Sequence, residues 1–178
     1  MFGILRQFAR ALTGKVDAVE FSLGILFGVL LGLIPMSEID PGTGFLGLNG
    51  LWLWILLICF VLKASLPITM LFGGFSKLLA ILFLDKAAFE TGKGMLDSTM
   101  PESFAVGMAQ DWPSLQLHTY WGFGTFLFAI LIGVPTFLVS FLIMRTKLPV
   151  WREKFGQTRF AKALGGFFLF RLIGRLLA

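Results

Sequence analysis

The sequence predicts an all-α integral membrane protein, a single domain over 1–178 with about four transmembrane helices and an amphipathic interfacial helix at each terminus. Apolar residues make up 57% of the 178 residues and the mean hydropathy is +0.86, whereas soluble domains are about 45–50% apolar. Gly24, Gly28 and Gly32 recur every four residues within an apolar run. The tail, 145–178, holds eight Lys/Arg and one acidic residue. These features favour one membrane domain over two soluble ones.

The first segment, 1–14, has the pattern of a helix that lies in the plane of the membrane interface. Arg6 and Arg10 are one turn apart, and apolar side chains occupy the opposite face. A frayed terminus is the alternative. Basic residues followed by an apolar run also begin a signal peptide, but no small-x-small cleavage site follows Pro35. We therefore expect an uncleaved membrane anchor.

The first predicted span, 19–36, carries the glycine row and ends at Pro35. Residues four apart lie on one face of a helix. In lipid, small residues on such a face let a second helix approach closely, and van der Waals contact then drives association. We expect Gly24, Gly28 and Gly32 to form a helix-packing surface. Gly28→Leu should disrupt assembly, and Gly28→Ala should be mild.

The next two predicted spans, 45–62 and 67–84, follow a turn-rich acidic link over 37–44. The second of them contains a glycine pair, Gly73-Gly74, and a lysine near its middle. Broken or re-entrant elements are tolerated at membrane depth where protein buries them. Residues 45–84 therefore either span fully or contain such elements.

The remaining chain is predicted as a polar periplasmic loop over 85–120, a fourth span over 121–144 kinked at Pro135, and a basic cytoplasmic tail over 145–178. The loop is expected to hold short interfacial helices, 86–96 and 102–110. The tail ends in an apolar segment with two arginines, which is too short and too charged to span. An interfacial helix is expected there.

The orientation follows from the distribution of Lys and Arg. With four spans, twelve of these residues lie on the side of the two termini, and only Lys86 and Lys93 lie on the other. The positive-inside rule then places both termini in the cytoplasm of a multi-pass inner-membrane protein. Basic charge on such a protein favours anionic membrane lipids as partners rather than nucleic acid.

Catalytic motifs are missing from the sequence. It contains no nucleophile elbow, phosphate-binding glycine loop or paired carboxylates. His118 is the single histidine and has no cysteine or acidic cluster near it in sequence, so no metal site is expected. We expect no enzyme activity and no cofactor. Cys59 is expected to be a small buried hydrophobic residue.

Lys77 is the sharpest candidate for a functional residue. A cation in the middle of a span costs about 3 kcal/mol on insertion scales and tends to be functional. Asp85, two turns further on, could draw the ammonium outward. Snorkelling to the interface, contact with a lipid phosphate or partner carboxylate, and a transport role remain open. The candidate lipid- or partner-binding residues are Lys77, Asp85, His118, Arg145, Lys147, Arg152 and Lys154.

Several motifs together resemble a known family. They are LGILFGVLLGLIP at 23–35, AILFLD at 80–85, Gly92 with Leu96 after it, and HTYWGFGT at 118–125 leading to Pro135 and a basic tail. The family consists of small inner-membrane proteins of unassigned function from bacteria with outer membranes. It is distantly similar to a membrane domain attached to some polysaccharide glycosyltransferases.

The resemblance implies a partner. Members of the family occur as a two-gene pair with a very large envelope protein that looks like the elongated lipid-transfer proteins bridging the periplasm. We therefore expect a non-enzymatic inner-membrane subunit that anchors or feeds a large periplasmic protein with its own transmembrane anchor, in phospholipid transport to the outer membrane. The alternative is a small lipid or solute transporter or flippase, suggested by Lys77, the interrupted third span and a faint repeat between 26–35 and 127–135.

Overall fold

The computed structural model describes residues 17–40 and 44–157, which are mostly helical. The main elements are helices α1 (Ala18–Leu33), α2 (Gly50–Val61), α3 (Leu66–Leu79), α4 (Asp85–Gly94), α5 (Glu102–Asp111) and α6 (Tyr120–Gln157), and strands β1 (Ser37–Asp40) and β2 (Gly44–Leu48). The predictions for 1–14 and for the end of the tail, 158–178, lie outside the described residues.

Helix α1 matches the first predicted span except at its end. Asp17 caps it, and the carboxylate accepts a hydrogen bond from the backbone N–H of Ala18 at 2.6 Å. The helix stops at Leu33, two residues before Pro35. Its 16 residues cover about 24 Å at the usual helical rise, less than the ~30 Å of a hydrocarbon core.

Residues 37–62 form a hairpin and a short helix in place of the expected link and continuous span. Strands β1 and β2 form a two-stranded antiparallel hairpin in which Ser37 pairs with Leu48. Gly47 has φ +88°, and the side chain of Asn49 starts α2 by accepting from the N–H of Leu51 and of Trp52. Helix α2 is therefore only 12 residues long, about 18 Å, so the continuous helix expected over 45–62 does not form.

The third span continues far beyond its predicted end at residue 84. Pro67 lies in the first turn of α3, as expected, and the helix passes Gly73-Gly74 without interruption. A π-helical turn, Ala80–Leu84, joins α3 to α4, and another, Met95–Thr99, follows α4. The chain is thus helical from Leu66 to Thr99. Helices α4 and α5 lie where short helices were expected, at 86–96 and 102–110, but α4 continues from α3 without the expected break at residue 84.

Helix α6 is longer than predicted at its C-terminal end. It runs without interruption through Pro135 and Pro149, so the basic segment after residue 144 continues the helix to Gln157. Proline removes one backbone donor from a helix. The hydroxyl of Thr136, beside Pro135, donates to the carbonyl oxygen of Ile132 at 2.6 Å.

Helix α1 lies between α3 and α6 and packs against both, whereas α3 and α6 make little direct contact. Helix α1 runs parallel to α3, because Gly24 lies near Ile68 and Gly32 near Ser76. Helix α2 follows α1 in sequence and runs back along the bundle to the start of α3. At one end of α2, Trp52 Nε1 donates a hydrogen bond to Leu31 O. At the other end, the turn before α3 is hydrogen-bonded to the first turn of α1.

The bundle therefore has two chemically different ends. The start of α1, Lys63 and the segment after Met144 lie at the basic end. The hairpin, α4, α5 and the start of α6 lie at the acidic end, where Glu38 meets Thr119 at 2.8 Å.

Two helical segments, Leu66–Thr99 and Tyr120–Lys147, are long and apolar enough to cross a membrane, and α1 and α2 are shorter apolar helices. Large apolar side chains on α2, α3 and α6 and in the π-helical turn after α3 are exposed, and we call them the apolar belt. They include Trp54, Leu57, Phe60, Met70, Phe75, Leu78, Ile81, Leu82, Phe83, Leu131, Leu138 and Leu142.

Candidate functional site

The glycine row of α1 lies directly against the backbone of α3. A Cβ atom built on Gly28 would lie 2.7 Å from Phe72 Cβ and 2.8 Å from Thr69 O, and one on Gly32 would lie 2.5 Å from Gly73 O. Backbone approach of this kind is what small residues permit in membrane helices. The structure thus places Gly24, Gly28 and Gly32 in a contact within the chain, between α1 and α3.

A second close contact joins α4 to the start of α6. A Cβ on Gly92 would overlap the carbonyl oxygen of Tyr120, and a Cβ on Gly124 would overlap that of Ala88. The ring of Tyr120 meets Phe89 edge to face at 5.8 Å, and its hydroxyl lies near the carboxylate of Asp97. We call this contact the α4–α6 clasp. It holds the two long helical segments together at the acidic end.

Lys77 is exposed on the outer face of α3. Its backbone passes beside Gly32, near the end of α1. Exposed apolar side chains lie on both sides of it along the helix, at Phe75, Leu78 and Ile81. The structure therefore places this cation within the apolar belt, eleven residues after the start of α3, or about 16 Å along the helix axis.

Asp85 and His118 lie at the acidic end, apart from the basic residues with which they share the candidate set. Asp85 is half-buried in the first turn of α4, eight residues, or about 12 Å along the helix, from Lys77. His118 is half-buried just before α6, next to the Thr119 that bonds Glu38. These two residues therefore do not form one site with the basic tail.

The hairpin and the segment before α6 form a buried polar cluster, which we call the polar cap. Glu38 is 8% exposed and accepts a hydrogen bond from Thr119 Oγ1 at 2.8 Å. Gln116 is 1% exposed, has φ +56°, and donates from Nε2 to Gly47 O at 3.4 Å. The N–H of Gly122 donates to Thr119 Oγ1. The cap thus fixes the hairpin to α6.

Two buried polar atoms of the cap lack a hydrogen-bond partner among the described residues. They are Nδ2 of Asn49, which is 1% exposed, and Oε1 of Gln116. One is a donor and the other an acceptor, and buried polar atoms of this kind are commonly satisfied by ordered water.

The basic candidates lie at the other end. Arg145 and Lys147 are exposed in α6 directly after Met144. Arg152 and Lys154 belong to the last turns of the same helix. All four are therefore carried by one helix beyond the apolar belt, where cations suit the headgroup region of an anionic membrane.

Sequence reasoning did not single out the polar cap or the clasp. Glu38, Asn49 and Gln116 come from three separate segments, and no periodicity connects them. Gly92 and Gly124 each appear in the motifs quoted for the family resemblance, but their spacing does not reveal that the two face each other. The dipeptide Asn49-Gly50 directly before an apolar segment could have predicted that Asn49 is the N-cap of α2.

The site contains no arrangement typical of a metal centre within 17–40 and 44–157, where no three His, Cys, Asp or Glu residues come together. Cys59 is buried, with its sulfur 3.8 Å from Thr69 Oγ1. No protein-family model, curated protein or solved structure matches the chain. The geometry defines a mostly helical protein in which two helical segments are suited to cross a membrane.

Proposed function

We propose that the chain is a non-enzymatic subunit of the bacterial inner membrane that anchors or feeds a large periplasmic partner, in phospholipid transport to the outer membrane. The observation that carries the membrane location is the apolar belt. It covers the sides of α3, of the π-helical turn after it and of α6, where exposed side chains such as Phe83 and Leu131 would promote aggregation in water. In a bilayer the same side chains face acyl chains.

The two ends of the bundle support an orientation. The basic end carries Lys63, Arg145 and Lys147, and the acidic end carries most of the carboxylates. Under the positive-inside rule, the basic end and both termini face the cytoplasm. In this arrangement α3 and α6 cross the bilayer, and α1 and α2 supply two further, shorter passes within the bundle.

Reporter fusions test this topology. Fusions at Thr99 and directly after Met144 should report opposite sides of the membrane. A fusion at Lys63 should agree with the one after Met144. If the fusions at Thr99 and after Met144 report the same side, the proposed crossing of α6 is wrong.

The partner would bind the outer face of α3. Gly74 has open space where its Cβ would be, and Lys77 lies one turn away on the same exposed side, with Met70 and Leu78 beside them. A transmembrane helix with a carboxylate at this depth fits the face, because a small residue allows close approach and a cation in hydrocarbon is stabilised by an opposite charge.

Co-purification in mild detergent from the host's own membranes tests this subunit role. The tagged chain should retain a very large protein that has a single transmembrane anchor and a periplasmic body. Lys77→Met removes the charge with little loss of bulk and should release that protein while the chain stays folded. Leu131→Met, at an exposed position of α6, is the matched control and should retain the large protein. Equal retention in both variants would contradict the assigned face.

A transporter is the second candidate, and the position of Lys77 within the apolar belt favours it, since intramembrane charges mark substrate pathways. Purified chain in liposomes distinguishes the two. Lipid scrambling or solute uptake by the chain alone, lost in Lys77→Met, would support the transporter and reject the subunit role.

A further inference from the structure

An apolar groove runs along α6 at the basic end of the bundle. It has a volume of about 380 Å³. Ile25 of α1 and Phe72 of α3 line one side, and α6 lines the other from Pro135 to Met144. The groove exists because α3 and α6 both pack on α1 but make little direct contact with each other.

The walls of the groove select an apolar occupant. Its two hydroxyl groups are already satisfied within α6, since Thr136 Oγ1 donates to Ile132 O at 2.6 Å and Ser140 Oγ donates to Phe137 O at 2.9 Å. Val139, which lines the groove, is 55% exposed, so the groove opens to the side of the bundle. In the proposed membrane setting that side faces lipid.

The length of the groove matches one leaflet. Pro135 and Met144 are nine residues apart, or about 14 Å along a helix, and half of a ~30 Å hydrocarbon core is about 15 Å. The groove ends at Met144, and the next residues include Arg145 and Lys147, both exposed. By helical periodicity Lys147, seven residues after Ser140, lies on the groove side of α6, whereas Arg145 lies on the opposite side. A chain lying in the groove would therefore have its polar end beside Lys147.

We propose that this groove holds an acyl chain of an anionic phospholipid, whose phosphate lies against Lys147. The proposal rests on the membrane location in the proposed function, and it names the lipid class and the site within that function. An uncharged or zwitterionic lipid would fill the groove but gain less from this cation. Each cation near the membrane surface is worth about fivefold in affinity for anionic lipid.

Spin-labelled lipids test the proposal. The full chain is reconstituted in phosphatidylcholine vesicles with a trace of phosphatidylglycerol or phosphatidylcholine that carries a nitroxide on one acyl chain. The immobilised fraction of the spectrum gives the relative affinity of the two lipids. The unaltered chain should prefer phosphatidylglycerol, and salt should reduce the preference. Lys147→Gln should lower it by up to about fivefold, and Arg145→Gln, on the opposite side of the same helix, should lower it less.

Two neighbouring positions provide a matched pair for the groove itself. Val139→Trp places a bulky ring in the groove and should remove the immobilised fraction that belongs to this site. Leu138→Trp is the control, because Leu138 is 54% exposed on the same helix but does not line the groove. Lys86→Gln with Lys93→Gln, at the acidic end, should leave the lipid preference unchanged.

Equal spectra for Val139→Trp and Leu138→Trp would overturn the proposal, as would an unchanged preference after Lys147→Gln. Either result would mean that the groove does not hold an anionic lipid against Lys147. The partner test separates this outcome from the proposed function. Val139→Trp leaves α3 unaltered and should retain the large partner, so loss of lipid selectivity alone rejects only the groove.

Discussion

Gly28→Ala is the smallest change that tests the packing of α1 on α3. The added methyl group would lie 2.7 Å from Phe72 Cβ, where ordinary contacts begin at 3.4 Å. The deficit is 0.7 Å. It cannot be relieved by one side chain alone, because Thr69 O and Gly73 N lie within 3.0 Å of the same position and belong to the backbone. Helix α1 must therefore move away from α3.

The expected cost follows from overpacking. Extra methyl groups in well-packed interiors typically cost about 1–3 kcal/mol, which lowers the ratio of folded to unfolded protein at least about fivefold. The sequence alone suggested that Gly28→Ala would be mild. The distances change that expectation, since the row meets backbone atoms rather than flexible side chains. Gly28→Leu should be more severe still.

Equilibrium unfolding in mixed micelles, followed by far-ultraviolet circular dichroism and tryptophan fluorescence, measures this cost. Gly74→Ala is the matched control, because Gly74 lies in α3 and a Cβ there would meet nothing within 4 Å. It should unfold like the unaltered chain or slightly later. If Gly28→Ala and Gly74→Ala have the same midpoint, α1 does not pack on α3 through its glycines.

Three further substitutions test other contacts. Gly124→Ala would overlap the carbonyl oxygen of Ala88 and should open the α4–α6 clasp, seen as a larger hydrodynamic radius on gel filtration. Thr119→Val removes the donor to buried Glu38 and should cost about 1–3 kcal/mol in denaturant titrations. Asn49→Ala removes the cap of α2 and should lower the thermal midpoint by the equivalent of about 1 kcal/mol, with α1 and α3 unaffected.

The helices of the bundle were largely predictable, because long apolar runs and a four-residue glycine spacing are local signals. The spacing identified the face of α1 that packs. It did not identify α3 as the partner, because periodicity describes one helix and carries no information about what approaches it. The parallel arrangement of α1 and α3 depends on the return through α2, which the sequence pattern left open.

The errors have a common physical cause. Hydropathy falls at Asp85, and the prediction separated a span ending at residue 84 from a short helix at 86–96, yet the backbone continues as one helical segment to Thr99. A change of solvent does not break helical hydrogen bonds; it changes only which side chains are tolerated. Conversely, 44–48 is apolar but forms a strand, since its pairing with β1 outweighs the hydropathy that favoured a span.

The polar cap could not be predicted from the sequence for a related reason. Asn49 and Gln116 are single polar residues 67 positions apart, and each alone is compatible with a surface loop. Only the fold shows that both are buried beside the hairpin, with Gln116 bonded to Gly47 O.

The clasp and the glycine row together determine the groove on α6. At the acidic end, Gly92 and Gly124 bring the two long helical segments into backbone contact. Towards the basic end α1 is inserted between them, and Gly28 holds it against α3. The two segments must therefore diverge by roughly the thickness of a helix, about 8–10 Å between axes. The space that this divergence leaves between α3 and α6 is lined by Ile25 of α1, Phe72 of α3 and the groove side of α6. The small residues that pack the bundle thus also create the space that we assign to lipid.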